Sequence, residues 1–189
     1  MQKTECSYFT MPTDLRYASN ENQPRRGEEE MNELEQARIL VIDDDVAVRE
    51  SHEAMLKANG YEVDVAENGK EAIDKSNANF YNLALVDIRL PDMDGIELLT
   101  AMRETVPKTV KIIITGYPSQ ENAIEAINRG ADGYIVKPYT LADLLRKIKE
   151  QLQKQQEAKK YSEEKVKEFV ETRAEENESR ASAKGKQKE

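Results

Sequence analysis

The chain has 189 residues, 38% hydrophobic and 34% charged, with a net charge of −9 and a mean hydropathy of −0.79, so it reads as one domain with solvated appendages. No stretch approaches the roughly 20 apolar residues of a membrane span, and Met1–Arg16 carries no apolar core of a secretory signal. A lone cysteine (Cys6) excludes a disulfide framework, a lone histidine (His52) leaves little for a histidine-ligated metal or a Ser-His-Asp triad, and the acidic balance argues against a general nucleic-acid surface.

Composition shifts divide the chain. Residues 1–36 carry net −4 and contain Asn20, Asn22, Pro24 and Gly27; they read as a disordered extension. Within them Glu28-Glu29-Glu30-Met31-Asn32-Glu33 can begin a short helix, and Met31 is a candidate alternative start. Residues 37–150, net −6, carry the folded pattern. Residues 151–189, net +1, are rich in Lys, Glu and Gln and form a charged tail, partly helical and then disordered.

The elements of 37–150 alternate. Arg38–Ile42 is a β-branched strand ending abruptly in Asp43-Asp44-Asp45. A helical spacing follows through Val48, Met55 and Leu56, stopped by Gly60 at C′. Tyr61–Val65 alternates as an edge-like strand. Asn68-Gly69 leads into a helix carrying Ala72 and Ile73. Leu83–Val86 is a buried strand ending at Asp87, and Pro91–Gly95 is a loop before a helix marked by Ile96, Leu98, Leu99 and Met102. Val110–Ile114 is a strand ending at Thr115-Gly116. Ala123, Ile124 and Ile127 share one face of a helix closed by Gly130. Tyr134–Val136 is a fifth strand ending at Lys137-Pro138, and Leu141, Leu144, Leu145, Ile148 and Leu152 mark the last helix. Five strand–helix units in succession predict an α/β fold: a doubly wound, five-stranded parallel sheet with helices on both faces and a C-terminal helical extension. By analogy with flavodoxin-like sheets, the strand order is 2-1-3-4-5.

In such sheets ligands bind beyond the carboxyl ends of the strands, and the polar residues here sit at those ends. Asp43 and Asp44 end strand one, Asp87 strand three, Thr115 strand four and Lys137 strand five. Converging carboxylates repel, and a hard divalent cation removes that conflict; Mg²⁺ takes one or two carboxylates and keeps waters or phosphate oxygens. Lys137 adds a compact positive charge and Thr115 a hydroxyl. Together they suit a phosphoryl group carried on an aspartate.

The segments ILVIDDD, LVDIRLPDMDG, IIITGY and ADGYIVKPY resemble, in order and spacing, the receiver domain of two-component response regulators. The resemblance covers about residues 37–150. It implies that Asp87 is the phosphoacceptor, and that Mg²⁺ is held by Asp43, Asp44, Asp87 and the backbone carbonyl of Arg89. It implies that Thr115 and Lys137 bind the phosphoryl oxygens and that Thr115 and Tyr134 act as the switch. It also implies a cis peptide before Pro138. Tyr139 stands where phenylalanine is frequent, and Arg89 and Tyr117 occupy variable positions beside the site, where side chains can shield or expose the acyl phosphate.

The same resemblance implies a histidine kinase as donor and a downstream protein target or a histidine phosphotransfer protein as acceptor of the signal. The expected chain is a cytoplasmic, stand-alone receiver without direct DNA or membrane binding, since only 39 residues follow position 150 and they show neither a helix-turn-helix pattern nor a Gly-rich phosphate loop. It is not an enzyme beyond its own aspartyl phosphorylation and dephosphorylation. Two other readings stand beside this one: a phosphorelay intermediate, and a phosphorylation-independent scaffold that uses the C-terminal tail. A metal-dependent phosphohydrolase is disfavoured, because Arg89 stands where haloacid-dehalogenase-like enzymes carry a second acid. Asp45 reads as a helix cap, Pro91–Gly95 as a turn rather than a calcium loop, and His52 as a solvent-exposed residue. Gln155 and Lys159 interrupt the last apolar stripe, and Tyr161, Val166, Phe169 and Val170 form a second, weaker one.

Overall fold

The computed structural model describes residues 37–185, with side chains through residue 174. The extension 1–36, with its possible helix, Met31 and Cys6, lies outside the described residues. Elements follow in the order β1 Arg38–Ile42, α1 Val46–Ala58, β2 Glu62–Ala66, α2 Gly69–Ala78, β3 Leu83–Asp87, α3 Gly95–Ala101, β4 Val110–Thr115, α4 Gln120–Asn128, β5 Gly133–Val136 and α5 Leu141–Gly185. All strand pairs are parallel and the sheet order is β2-β1-β3-β4-β5, as expected.

The alternation of side chains along each strand divides the core into two layers. Ile39, Val41, Leu83, Leu85, Ile112 and Ile114 face Leu56 of α1 and Leu144, Ile148 and Leu152 of α5. Leu40, Ile42, Ala84, Val86 and Ile113 face Ala72 of α2, Ile96, Leu98 and Leu99 of α3, and Ala126 of α4. β3 and β4 are buried on both faces, which is why β3 is apolar up to Asp87 and β4 is apolar up to Thr115 but for Lys111, whose ammonium donates to the Leu99 carbonyl.

Local chemistry sets the helix ends. Asp45, Asn68, Asp94 and Ser119 cap α1 to α4 through side-chain oxygens that accept backbone N–H groups of the first turn. Asp45 is therefore a cap, as its position suggests. Gly60 and Gly130, each with φ of 89°, turn the chain out of α1 and α4 in the left-handed region open to glycine.

Two readings of the sequence need correction. Ile124 and Ile127 are 52% and 66% exposed, and Ala126 is the α4 residue that meets the sheet. His52 is buried, at 4% exposure, one turn before Leu56 on the inner face of α1. In both cases apolar or polar type was a poor guide to which face the helix presents.

α5 leaves the core after Leu152, the last buried residue among its described side chains. The Gln155 amide ties its next turn to the base of the domain, donating to the carbonyls of Asn82 (3.1 Å) and Lys108 (2.6 Å). Beyond that point Tyr161, Val166, Phe169 and Val170 are exposed. The helix nevertheless runs to Gly185, past Glu175, where the sequence suggests that order ends. Good helix formers such as Ala174, Ala181 and Ala183, together with i,i+3 and i,i+4 pairs such as Lys154–Glu150 and Lys165–Glu168, favour it.

Cooperative stability should therefore reside in the packed layers. Leu144→Ala is expected to cost about 2–5 kcal/mol, and Val166→Ala to stay within about 0.5 kcal/mol, in urea denaturation of the full chain. The reverse ranking would place the projecting part of α5 inside the folding unit.

Candidate functional site

The carboxyl ends of β1, β3, β4 and β5 lie on one edge of the sheet because all the strands run parallel. β1 delivers Asp43, almost fully buried, whose N–H continues the ladder to the Ala66 carbonyl at 3.3 Å. Its Oδ1 accepts the Asp45 N–H at 2.9 Å, and the Arg49 guanidinium holds its carbonyl at 2.6 Å. β3 delivers Asp87, with a side chain 12% exposed, whose Oδ1 accepts the Arg89 N–H at 3.0 Å.

Lys137 closes the group from just beyond β5. Its backbone N–H donates to the Thr115 carbonyl at 2.7 Å, which sets its side chain over the end of β4. Its ammonium donates to Asp43 Oδ2 at 3.1 Å and to Asp87 Oδ2 at still closer range. Two carboxylates from different strands thus share one cation. Burial would lower the Lys137 pKa, but its hydrogen bonds to Asp87 and Asp43 outweigh burial and hold the ammonium above its ordinary value. Burial also raises the Asp43 carboxyl, and the Asp45 N–H and Lys137 relieve this only in part.

Thr115 ends β4 almost fully buried, its Oγ1 accepting the Tyr117 N–H at 3.0 Å. Tyr134 lies on β5 opposite Ile113; its ring packs against the layer under α2–α4, and its hydroxyl is buried without a hydrogen-bond partner among the described residues. The Lys137–Pro138 peptide is cis. Asp44 is exposed and stands outside the shared contact.

The loop after β3 is held close. Gly95 donates to the Ile88 carbonyl at 2.7 Å, and a Cβ at position 95 would stand 2.0 Å from the Asp87 carbonyl oxygen, so only glycine lets α3 begin this near. Asp92 accepts the N–H groups of Gly69 (2.9 Å) and Lys70 (2.8 Å), anchoring the loop to the start of α2. The Pro91–Gly95 turn thereby presents the backbone of Arg89 beside Asp87.

These donors suit Mg²⁺ in a particular way. Among the described residues no three acidic or histidine side chains cluster tightly enough to hold a cation alone. Mg²⁺ does not need three: one or two carboxylates suffice, with oxygen donors and water for the rest. Asp43 and Asp87, neighbours on one ammonium, supply two, and the Arg89 carbonyl is a further oxygen on the adjoining loop.

Two features of the site were not legible from motif spacing. The Arg89 guanidinium lies 3.5 Å over the Tyr117 ring, joining the two variable positions into one stacked pair. The Tyr139 hydroxyl meets His52 Nε2 at 2.6 Å, with the rings stacked at 6.0 Å. The sequence signal for the second was the spacing of His52 from Val48 and Leu56, one turn on either side.

A model of the response regulator receiver domain matches residues 39–149. Response regulator MprA of Mycolicibacterium vanbaalenii is 36% identical over 112 residues, covering 59% of this chain and 48% of that protein. Transcriptional regulatory protein ZraR of Klebsiella oxytoca is 40% identical over 104 residues, covering 55% of this chain and 24% of that protein. The aligned part of the chain thus spans about half the length of the first relative and a quarter of the second. The crystal structure of a CheY-like response regulator receiver domain protein from Methanospirillum hungatei JF-1 is 46% identical, with a TM-score of 0.63 over 65% of this chain and 98% of that one. No helix among the described residues is long and apolar enough to cross a membrane. With its sheet order, its acidic strand ends and its matched span in agreement, the chain belongs to the response regulator receiver domain family of two-component systems.

Proposed function

We propose that a histidine kinase phosphorylates this chain on Asp87 with Mg²⁺ present, and that the face formed by α4, β5 and α5 carries the result to a partner protein. One observation carries the reading: the Lys137 ammonium touches Asp87 and Asp43 together. An aspartate so placed is a nucleophile beside a fixed positive charge and a second buried acid.

In this reading an Asp87 carboxylate oxygen forms the new bond to phosphorus as the donor's phosphorus–nitrogen bond breaks and the imidazole leaves. Asp43, Asp44, Asp87 and the Arg89 carbonyl would hold Mg²⁺, which when bound would supply charge stabilisation for the transferring oxygens. Lys137 exchanges its contact with the free carboxylate for one with a phosphoryl oxygen. The Thr115 hydroxyl is the neutral donor on the adjoining strand, and Tyr134, in the next strand over, is the side chain placed to respond. Water later cleaves the acyl phosphate, so the chain turns over only its own modification. The stacked Arg89–Tyr117 pair, at the ends of β3 and β4, is placed to govern how water reaches that bond. The exposed side chains Ile124, Ile127, Val136 and Leu141 support a protein-binding role for the α4–β5–α5 face.

Intact-mass analysis after incubation with a small phosphodonor tests the chemistry. One added phosphoryl group is expected, lost in Asp87→Asn and lost with a chelator. Addition that persists in either control would remove Asp87 from its assigned role.

The acid pair gives a second test. Asp43 has a folded-state pKa above its ordinary value, so between the two values the folded chain binds more protons than the unfolded one, and stability falls as pH rises through that window. In chelator, Asp43→Asn is therefore expected to be more stable than the unaltered chain at pH 7, with the gap closing as pH falls through the carboxylate range. Mg²⁺ should raise the urea midpoint of the unaltered chain and leave that of Asp43→Asn unmoved. A variant that is less stable at pH 7 would mean that the ion pair outweighs burial.

A further inference from the structure

His52 lies in the middle of α1, 4% exposed, and the proposed phosphoryl chemistry does not use it. Its burial also keeps it from serving as a surface phosphotransfer residue. Nε2 meets the Tyr139 hydroxyl at 2.6 Å, while Nδ1 is buried without a hydrogen-bond partner among the described residues. The Tyr139 ring is half-buried against the layer that contains Leu56 and Leu144.

Whichever group donates, a buried polar site on the imidazole is left unmatched, a cost that an apolar pair of similar shape would avoid. Such a pair calls for a role beyond packing. Its place in the chain supplies one. α1 starts directly after Asp43-Asp44-Asp45, and Tyr139 lies two residues after Lys137, in the segment joining β5 to α5. The pair therefore fastens the element that follows the acidic end of β1 to the segment that carries the ammonium. Burial, and then the Lys137 charge, hold the His52 imidazole below its ordinary pKa.

We propose that the buried His52–Tyr139 hydrogen bond is a second positioning contact that, with the Lys137–Thr115 backbone bond, sets where the Lys137 ammonium stands over Asp87, so that a phosphoryl group on Asp87 is felt at His52. Tyr139 and His52 touch no reacting atom and act through Lys137. The inference rests on the assignment of Asp87 as phosphoacceptor.

His52 is the sole histidine of the chain, so full-length protein labelled with ¹⁵N-histidine gives a single ring signature. The probe is beryllofluoride with Mg²⁺, a stand-in for a phosphoryl group on a carboxylate, with its binding followed separately by ¹⁹F NMR. The ring nitrogen signals are expected to shift as beryllofluoride binds, and Tyr139→Phe is expected to abolish that shift while still binding the probe. The same variant should change the rate of phosphoryl loss by roughly two- to tenfold, the range of one hydrogen bond, and should lower the urea midpoint, because it leaves the buried imidazole without its partner. A residue with a merely structural role would lower the midpoint in the same way but leave the ring response and the rate of phosphoryl loss intact. Ring signals that stay fixed while the ¹⁹F signal shows bound probe would overturn the inference and leave the Asp87 assignment standing. Absence of any bound ¹⁹F signal that Asp87→Asn also lacks would overturn the Asp87 assignment, and the inference with it.

Discussion

One ammonium shared by a buried carboxylate, Asp43, and a largely covered one, Asp87, is the contact around which this edge of the molecule is built. Asp43 and Asp87 come from neighbouring strands and cannot both carry charge at this depth without compensation. Lys137 supplies it from two strands away, across the end of β4, with its backbone tied to the Thr115 carbonyl. The arrangement leaves the site sensitive to any group that competes for the same ammonium. A phosphoryl group on Asp87 is such a competitor, since its oxygens carry more charge than the carboxylate they replace.

The fold makes this contact possible by simple means. Parallel strands put every carboxyl end on one edge, and the order β2-β1-β3-β4-β5 sets the two acidic ends side by side. The two apolar layers hold β1, β3 and β4 rigidly from both faces, so the acids are fixed by the sheet and not by loop conformation. Gly95 adds a local condition: α3 can start against the Asp87 carbonyl only without a side chain, and that closeness keeps the Arg89 backbone at the site.

Much of this was legible in the residues because strand ends announce themselves. Ile42 to Asp43, Val86 to Asp87 and Ile114 to Thr115 are abrupt changes from apolar to polar, and each falls within one residue of a strand's end. Gly60 and Gly130 marked helix ends because the left-handed turn there suits glycine. Contacts between distant segments were less legible. Ile124 and Ile127 read as core by type, yet the small Ala126 is what fits against the sheet. His52 read as solvated because nothing in the sequence says that Tyr139 will stand beside it. Asp44 shares its motif with Asp43 but not its burial, since adjacent residues at a strand end point apart. The continuation of α5 to Gly185 reflects local propensity, which composition described only as a partly helical tail.

The misfits in the structure have a pattern. Two buried side-chain atoms lack hydrogen-bond partners among the described residues, the Tyr134 hydroxyl and His52 Nδ1. They bracket Lys137: Tyr134 is three residues before it, and His52 holds Tyr139, two residues after it. Buried polar atoms left unmatched favour any nearby arrangement that gives them a partner. Set on both sides of the ammonium that touches Asp87 and Asp43, they lower the cost of leaving the present arrangement while the apolar layers stay as they are. A segment balanced in this way can answer a change of charge at Asp87 without unfolding, as a two-state switch requires.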